Sequence, residues 1–144
     1  MNRYAIIENS LVINIAIADP EFAISQGWIA CNDDVTIGWN YINNLFTPPA
    51  PVYLTFDELN NDTQQRLDNF ATTKGYKDIV SVCTYATSTN PQYKSDADYC
   101  VLARDATWEQ LYLIFAEINQ GTRPMPTDYD QIAVDLPVLA WPVI

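Results

Sequence analysis

The sequence contains no histidine, and it has only seven lysine and arginine residues against 18 aspartate and glutamate residues. Without histidine, the Ser-His and Cys-His pairs that activate many catalytic nucleophiles cannot form. The net charge of −11 disfavours binding to nucleic acid or to anionic membranes, because too few cations are present to neutralise phosphates. These shortages favour a protein that interacts with other proteins over an enzyme.

Long apolar runs are also missing from the chain. No stretch approaches the roughly 18 apolar residues of a membrane span. The opening segment MNRYAIIEN lacks the apolar core and cleavage site of a signal peptide. We therefore expect neither a membrane segment nor a secretion leader.

Cysteine is scarce, with one residue at each of the positions Cys31, Cys83 and Cys100. An odd number at wide spacing favours reduced, buried thiols. A Cys83–Cys100 pair is a less favoured alternative. Zinc is disfavoured because the sequence has no CxxC motif and no histidine. We expect no cofactor and no metal.

The composition of the sequence indicates a folded chain. Hydrophobic residues make up 49% and charged residues 17% of the 144 positions, which is typical of globular proteins. This length suits one domain or two small ones. Because a core built from fewer than about 70 residues is marginal on its own, two halves would each be weakly stable.

The start of the chain predicts a β-hairpin followed by a short helix. The segment RYAIIENSLVINIAIAD is rich in β-branched residues and predicts strands at 4–7 and 11–18, joined by a turn at 8–10. Asp19 is expected to cap a two-turn helix that begins at Pro20 and ends at Gly27.

A third strand and a second hairpin complete the predicted N-terminal part. The strand is expected at 28–31, and the hairpin strands at 38–41 and 45–47, with Ile42-Asn43-Asn44 as the turn. We predict that residues 1–47 form a small antiparallel β module. Its aromatic face, formed by Trp39, Tyr41 and Phe46, is a candidate partner-binding surface.

The segment TPPAPV lies at the end of this module. Its prolines fix φ and cannot donate to a sheet, so residues 48–54 are predicted to be an extended, semi-rigid connector. A proline-motif ligand for an aromatic groove is a less favoured alternative.

Residues 55–144 have helical signals and predict an α+β fold class for the whole chain. Thr55 and Glu58 form a capping box for a helix that ends before Gly75. The stretch 76–86 is ambiguous between strand and helix and is interpreted as a helix.

Two further helices are predicted from cap signatures. Ser95 with Asp98 predicts a helix over 96–120, and Thr127 with Asp130 predicts a last one to about Asp135. The long helix is apolar on nearly every side, so it is either buried or shared between a core and a partner.

The candidates for chemistry are weak. An Asp33-Asp34 pair lacks the glycine and glutamate of a calcium loop. Asp96 and Asp98 would point apart on a helix and are better explained as caps. The three lysines are expected to be exposed, so we predict no catalytic residue.

The chain ends in LPVLAWPVI, nine residues without a charge. Since exposed apolar side chains forfeit burial energy, this tail should be docked. It either folds back on its own helices or lies in a groove of a neighbouring protein. In the second case Leu139, Trp141 and Ile144 are the candidate contact residues, with Trp141 as anchor.

The words RYAIIEN, VINIAIAD, GWIAC, IGWNY and FTPP resemble the N-terminal module of small tail and tail-fibre-associated proteins of tailed bacteriophages. The words RLDNFATTKGYKDIVSVCTYATSTNP, ARDATWEQLY, GTRPMP and DLPVLAWP are similar to a helical module that often follows it in such proteins. One departure is the turn Ile42-Asn43-Asn44, where that family usually has glycine.

The resemblance implies a non-enzymatic structural component of the virion tail, made in the bacterial host cytoplasm. Its implied partners are a tail-fibre or baseplate protein and further copies of itself. It would act as an attachment, adaptor or capping subunit. An assembly chaperone for the fibre is the alternative. An enzyme or inhibitor delivered to the host is a third, less favoured hypothesis.

Overall fold

The computed structural model describes residues 2–143, and the chain divides into two compact units, residues 1–51 and residues 52–144. The first unit contains an antiparallel sheet and the second is helical, so the predicted α+β class is confirmed. The division falls inside the proline-rich segment. Residues 47–53 of that segment are exposed and, after Thr47, lack regular secondary structure.

The first unit, called the β unit, is built around a five-stranded antiparallel sheet in the order β3-β1-β2-β4-β5. Its strands are β1 (Asn2–Glu8), β2 (Leu11–Ala18), β3 (Ile29–Ala30), β4 (Asn40–Ile42) and β5 (Leu45–Thr47), and helix α1 (Pro20–Ser25) follows β2. The predicted strands at 28–31 and 38–41 were therefore shifted or too long, whereas 11–18 and 45–47 match. Asp19 precedes α1 in an extended conformation, but its side chain accepts no capping hydrogen bond.

Both hairpins turn on two residues in the left-handed backbone region. Asn9 and Ser10 have φ of 51° and 66°, and Asn43 and Asn44 have φ of 50° and 63°. Two successive positive φ values match the type I′ turn that suits the twist of paired strands. Asparagine tolerates this conformation, so the second hairpin closes without glycine. The turn is one residue shorter than predicted, since Ile42 pairs with Leu45.

Two small apolar clusters stabilise the β unit. Neighbouring residues of a strand point to opposite faces, and Tyr4 and Ala5 accordingly belong to different clusters. Tyr4 packs with Ala18 at the end of β2 and with Ala23 of α1. Ala5 packs with Val12 and Val35, and Trp39 and Phe46 flank this second cluster.

The second unit, called the helical unit, contains α2 (Phe56–Thr72), α3 (Ile79–Cys83), a 3-10 turn (Thr84–Thr87), α4 (Pro91–Gln120) and α5 (Asp130–Ala133). The predicted capping box is present: the Thr55 N–H donates to Glu58 Oε2, and the Glu58 N–H donates to Thr55 Oγ1. Among residues 2–143, no helix combines the length and apolar composition needed to cross a membrane.

Two predicted helices differ from the observed ones. Helix α4 begins at Pro91, not near Ser95, because the Asn90 side chain accepts from the N–H groups of Gln92 and Tyr93 and proline suits the first helical position. The stretch 76–86 forms the short α3 and the 3-10 turn rather than one helix.

Thr127 and Asp130 do not form the predicted cap of α5 either. The Thr127 N–H donates to the side chain of Gln131, and the Asp130 N–H donates to Asp128. Helix α5 ends at Ala133, two residues short of Asp135.

The helical unit has two core clusters that share α4. Residues Leu111 and Ile114 pack with Leu59, Ile132 and Leu136 in one cluster. The other contains Leu67, Ala71, Ile79, Val82 and Cys100. Trp108 is partly buried against both clusters.

Burial along α4 is one-sided. Leu111 is fully buried, whereas Leu102 and Leu113 are 71% and 59% exposed. The expectation that this helix is buried all round is therefore wrong within the chain. The alternative, a helix shared between its own core and a partner, stays a prediction.

Two leucines on α4 allow a matched test of this one-sided burial. Leu111→Ala should lower the free energy of unfolding by about 2–5 kcal/mol, because it leaves a cavity in the core. Leu113→Ala has the same change in helix propensity, and we expect an effect within about 0.5 kcal/mol. Urea unfolding followed by circular dichroism at the helix band measures both. Equal effects would contradict the burial pattern.

Candidate functional site

The three aromatic residues selected from the sequence line one concave surface of the β unit. Tyr41 and Phe46 are cross-strand partners with ring centroids 4.6 Å apart, and Trp39 joins them in lining a cavity of about 330 Å³. We call this cavity the aromatic groove; its remaining lining residues are Ile29, Ala30, Cys31, Asn32, Asp34, Val35, Asn44 and Leu45. The sequence therefore identified residues that the fold brings together.

A single arginine fixes the loop that lines part of the aromatic groove. The Arg3 guanidinium on β1 donates to the backbone carbonyls of Asn32 and Val35, at 3.2 and 2.6 Å. The loop after β3 is thereby tied to the sheet. Burial raises the pKa of the neighbouring Cys31 thiol, an effect that Arg3 partly offsets. The groove is lined by aromatic and aliphatic side chains together with the polar residues Asn32, Asp34 and Asn44, a mixture that also occurs at protein interfaces.

The C-terminal tail lies on its own helical unit. The Trp141 ring stacks on Phe70, with centroids 4.3 Å apart and planes 17° apart. Its Nε1 donates to Thr73 Oγ1 at 2.8 Å, and Lys74 Nζ lies 4.8 Å from the ring centroid. These contacts match the alternative in which the tail folds back on its own helices.

Two side chains of the helical unit form hydrogen bonds with the backbone of the tail. Arg66 Nη2 donates to the Pro137 carbonyl, and the Ala140 N–H donates to the Tyr99 hydroxyl, both at 2.8 Å. Leu139 packs with Trp141 against the cluster around Leu67. The contacts of Leu139 and Trp141 are therefore intramolecular, and their binding to a partner stays a prediction. Ile144 lies outside the described residues.

Sequence reasoning missed a buried polar network at the end of α2. The Asp96 carboxylate is only 2% exposed, and it accepts from Lys74 Nζ, the Tyr76 hydroxyl and Gln92 Nε2 at 2.8, 2.9 and 3.0 Å. Asp96 is therefore not a helix cap, and Lys74, which is exposed as expected, is paired with it. The only local signal was the Gln92–Asp96 spacing of four residues, since Lys74 is distant in sequence.

The residues of this network line a pocket of about 560 Å³ together with Gly75, Tyr85 and Tyr93. The Lys74 ammonium is neutralised by Asp96, and each oxygen of the carboxylate has at least one partner. The network therefore joins α2 to α4 and, through the Lys74–Trp141 contact, to the tail.

The remaining candidates for chemistry lie apart from one another. Asp98 forms an exposed ion pair with Lys94 at 3.0 Å. Asp33 and Asp34 are exposed in a loop, and no group of three metal-ligating side chains was found within residues 2–143. The three cysteines are free thiols. Burial raises the pKa of Cys100 to about 12, which disfavours its thiolate at neutral pH.

The tail contacts predict that Trp141 stabilises the helical unit. Trp141→Ala should cost about 1–3 kcal/mol of unfolding free energy, less than full aromatic burial, because the ring is only half-buried. Trp141→Phe keeps the stacking but loses the bond to Thr73, so we expect about 1 kcal/mol. Val143→Ala is the control, since Val143 is 99% exposed. Equal urea midpoints for all three variants would contradict this docking.

The Tyr76–Asp96 bond predicts a loss of stability in alkali. Burial and the Asp96 carboxylate raise the pKa of Tyr76 from 10.0 to about 12 in the folded chain. The stabilisation from the neutral phenol is therefore complete below pH 10 and is lost as the pH rises towards 12. Tyr76→Phe should flatten the dependence of unfolding free energy on pH in this window. Identical pH profiles for the two proteins would refute the assignment.

The described residues thus present one open surface built from sequence-selected aromatic residues, the aromatic groove, and one tail that is engaged within the chain. The polar network supports the tail and does not resemble an arrangement of nucleophile and base. Comparisons of the chain with protein-family models, with curated proteins and with solved structures found no match.

Proposed function

We propose that the protein is a non-enzymatic structural component of a bacteriophage tail, associated with the tail fibre or baseplate as an attachment, adaptor or capping subunit. The proposal starts from the resemblance of both parts of the sequence to small tail-associated proteins. In this proposal the chain acts through protein contacts alone.

The observation that carries a binding role is the aromatic groove. Tyr41 and Phe46 are paired across β4 and β5, and Trp39 lies just before β4. Aromatic side chains contribute large contact areas and are enriched at the energetic centres of protein interfaces. The groove sits on a sheet held by close-turn hairpins, so little ordering should be needed before a partner binds.

The tail role is tested by locating the protein in purified particles. We expect mass spectrometry of virions to detect the chain, and immunogold labelling of an epitope-tagged version to mark the tail. If the chain is present in infected cells but missing from virions, it acts as an assembly chaperone and the structural role is wrong. If it is found in neither the tail nor a complex with tail proteins, both roles are wrong.

The aromatic groove is tested by a matched pair of substitutions in the β unit. Tyr41→Ser should weaken binding to the co-purifying tail protein by about tenfold or more, as expected at the centre of an interface. Ile24→Ser is the control, because Ile24 is 73% exposed on α1 and does not line the groove. Circular dichroism establishes that both variants fold. Equal binding by the two variants would exclude the groove as the contact surface.

A further inference from the structure

Helix α4 has an outward stripe of side chains that the helical unit does not cover. The stripe consists of Leu102, Ala106, Glu109, Leu113 and Ala116, all of them exposed. Leu102 and Leu113 are the most apolar members, at 71% and 59% exposure. We call this set the outer stripe. It is distinct from the aromatic groove, which belongs to the β unit.

The spacing of the outer stripe is that of a helix-binding seam. Its members follow one another at intervals of four, three, four and three residues, which averages the 3.5-residue repeat of helices that pack along their length. Two of the five members are alanines, Ala106 and Ala116, where a neighbouring helix could approach closely. The opposite side of α4 supplies Ala103, Thr107, Leu111 and Ile114 to the interior, so the two sides have separate roles.

Charge decides which kind of helix fits the outer stripe. The acidic residues nearest to the stripe have basic partners: Asp98 with Lys94, Asp105 with Arg104, and Glu117 with Arg123. Glu109 lies in the middle of the stripe, and no basic side chain within residues 2–143 comes within 4.0 Å of it. A carboxylate in the centre of an apolar seam calls for a cation from the other side.

A second copy of the chain packed in register would not supply that cation. If two copies of α4 packed in register, in parallel or around a two-fold axis at the centre of the stripe, Glu109 would face Glu109. Like charges at such positions oppose association, and the chain already has a net charge of −11. The outer stripe therefore suits a different molecule.

We propose that the outer stripe binds an amphipathic helix of another protein, with aliphatic side chains against Leu102 and Leu113 and a lysine or arginine opposite Glu109. The bound helix would pack on the side of α4 that the helical unit leaves exposed. This inference does not depend on a role in a phage tail, because it concerns the isolated chain and a defined class of partner.

The experiment uses the full chain and two synthetic helical peptides of about 28 residues, long enough to span the outer stripe. Both peptides have leucine and alanine at the seam positions, and they differ only in lysine or glutamate at the position facing Glu109. Binding is measured by fluorescence anisotropy of the labelled peptide. We expect the lysine peptide to bind more tightly than the glutamate peptide by about fivefold or more.

Substitutions then test whether the peptide uses the outer stripe. The double variant Leu102→Asp with Leu113→Asp should weaken the lysine peptide by about tenfold or more, because the apolar anchors are lost. Glu109→Lys should reverse the preference between the peptides. Val80→Asp is the control, since Val80 is 63% exposed on α3 and outside the stripe. Circular dichroism of each variant separates loss of binding from loss of folding.

Three results would overturn the proposal. One is the absence of a preference for the lysine peptide, whether both peptides bind equally or neither binds. Another is an effect of Val80→Asp as large as that of the leucine pair. The third is a dimer of the full chain, seen in sedimentation, that Leu102→Asp with Leu113→Asp dissociates, because a second copy would then be the occupant.

Discussion

The helical unit depends on the packing of a single long helix. Helix α4 crosses both core clusters, and its residues Cys100 and Leu111 belong one to each. Trp108 lies between them and contacts both. Helices α2, α3 and α5 each bury apolar side chains in a cluster that contains α4 residues, so α4 shares a core cluster with each of the others. Thirty residues make this helix about 45 Å long, compared with about 25 Å for the 17 residues of α2.

Much of this fold follows from local sequence. Where the sequence prediction failed, the failure has a physical reason. The Thr55 capping box and the strand at Leu11–Ala18 were predictable because their signals lie within a few residues. The start of α4 was misplaced because Asn90-Pro91 is both a chain breaker and a helix N-terminus, and only the hydrogen bonds of Asn90 distinguish the two. Local patterns leave such ambiguities to tertiary structure.

The candidate sites also differ in how far the local sequence predicts them. Trp39, Tyr41 and Phe46 could be grouped from the sequence because a hairpin sets the register of Tyr41 against Phe46. The Lys74–Asp96 pair could not, since the two residues are 22 positions apart and belong to different segments of the helical unit. Likewise, the apolar composition of the tail predicted that it would be docked, but not that Trp141 would stack on Phe70.

The prolines that follow β5 have a consequence for how the sheet can be recognised. An exposed edge strand offers unpaired backbone groups to which an extended peptide can add as a new strand. At β5 this edge is only three residues long, and it passes at once into Pro48 and Pro49, which have no N–H to donate. The opposite edge, β3, is only two residues long. Backbone pairing is therefore poorly supported at both edges, so a partner that recognised the sheet would rely on side-chain shape rather than on strand addition.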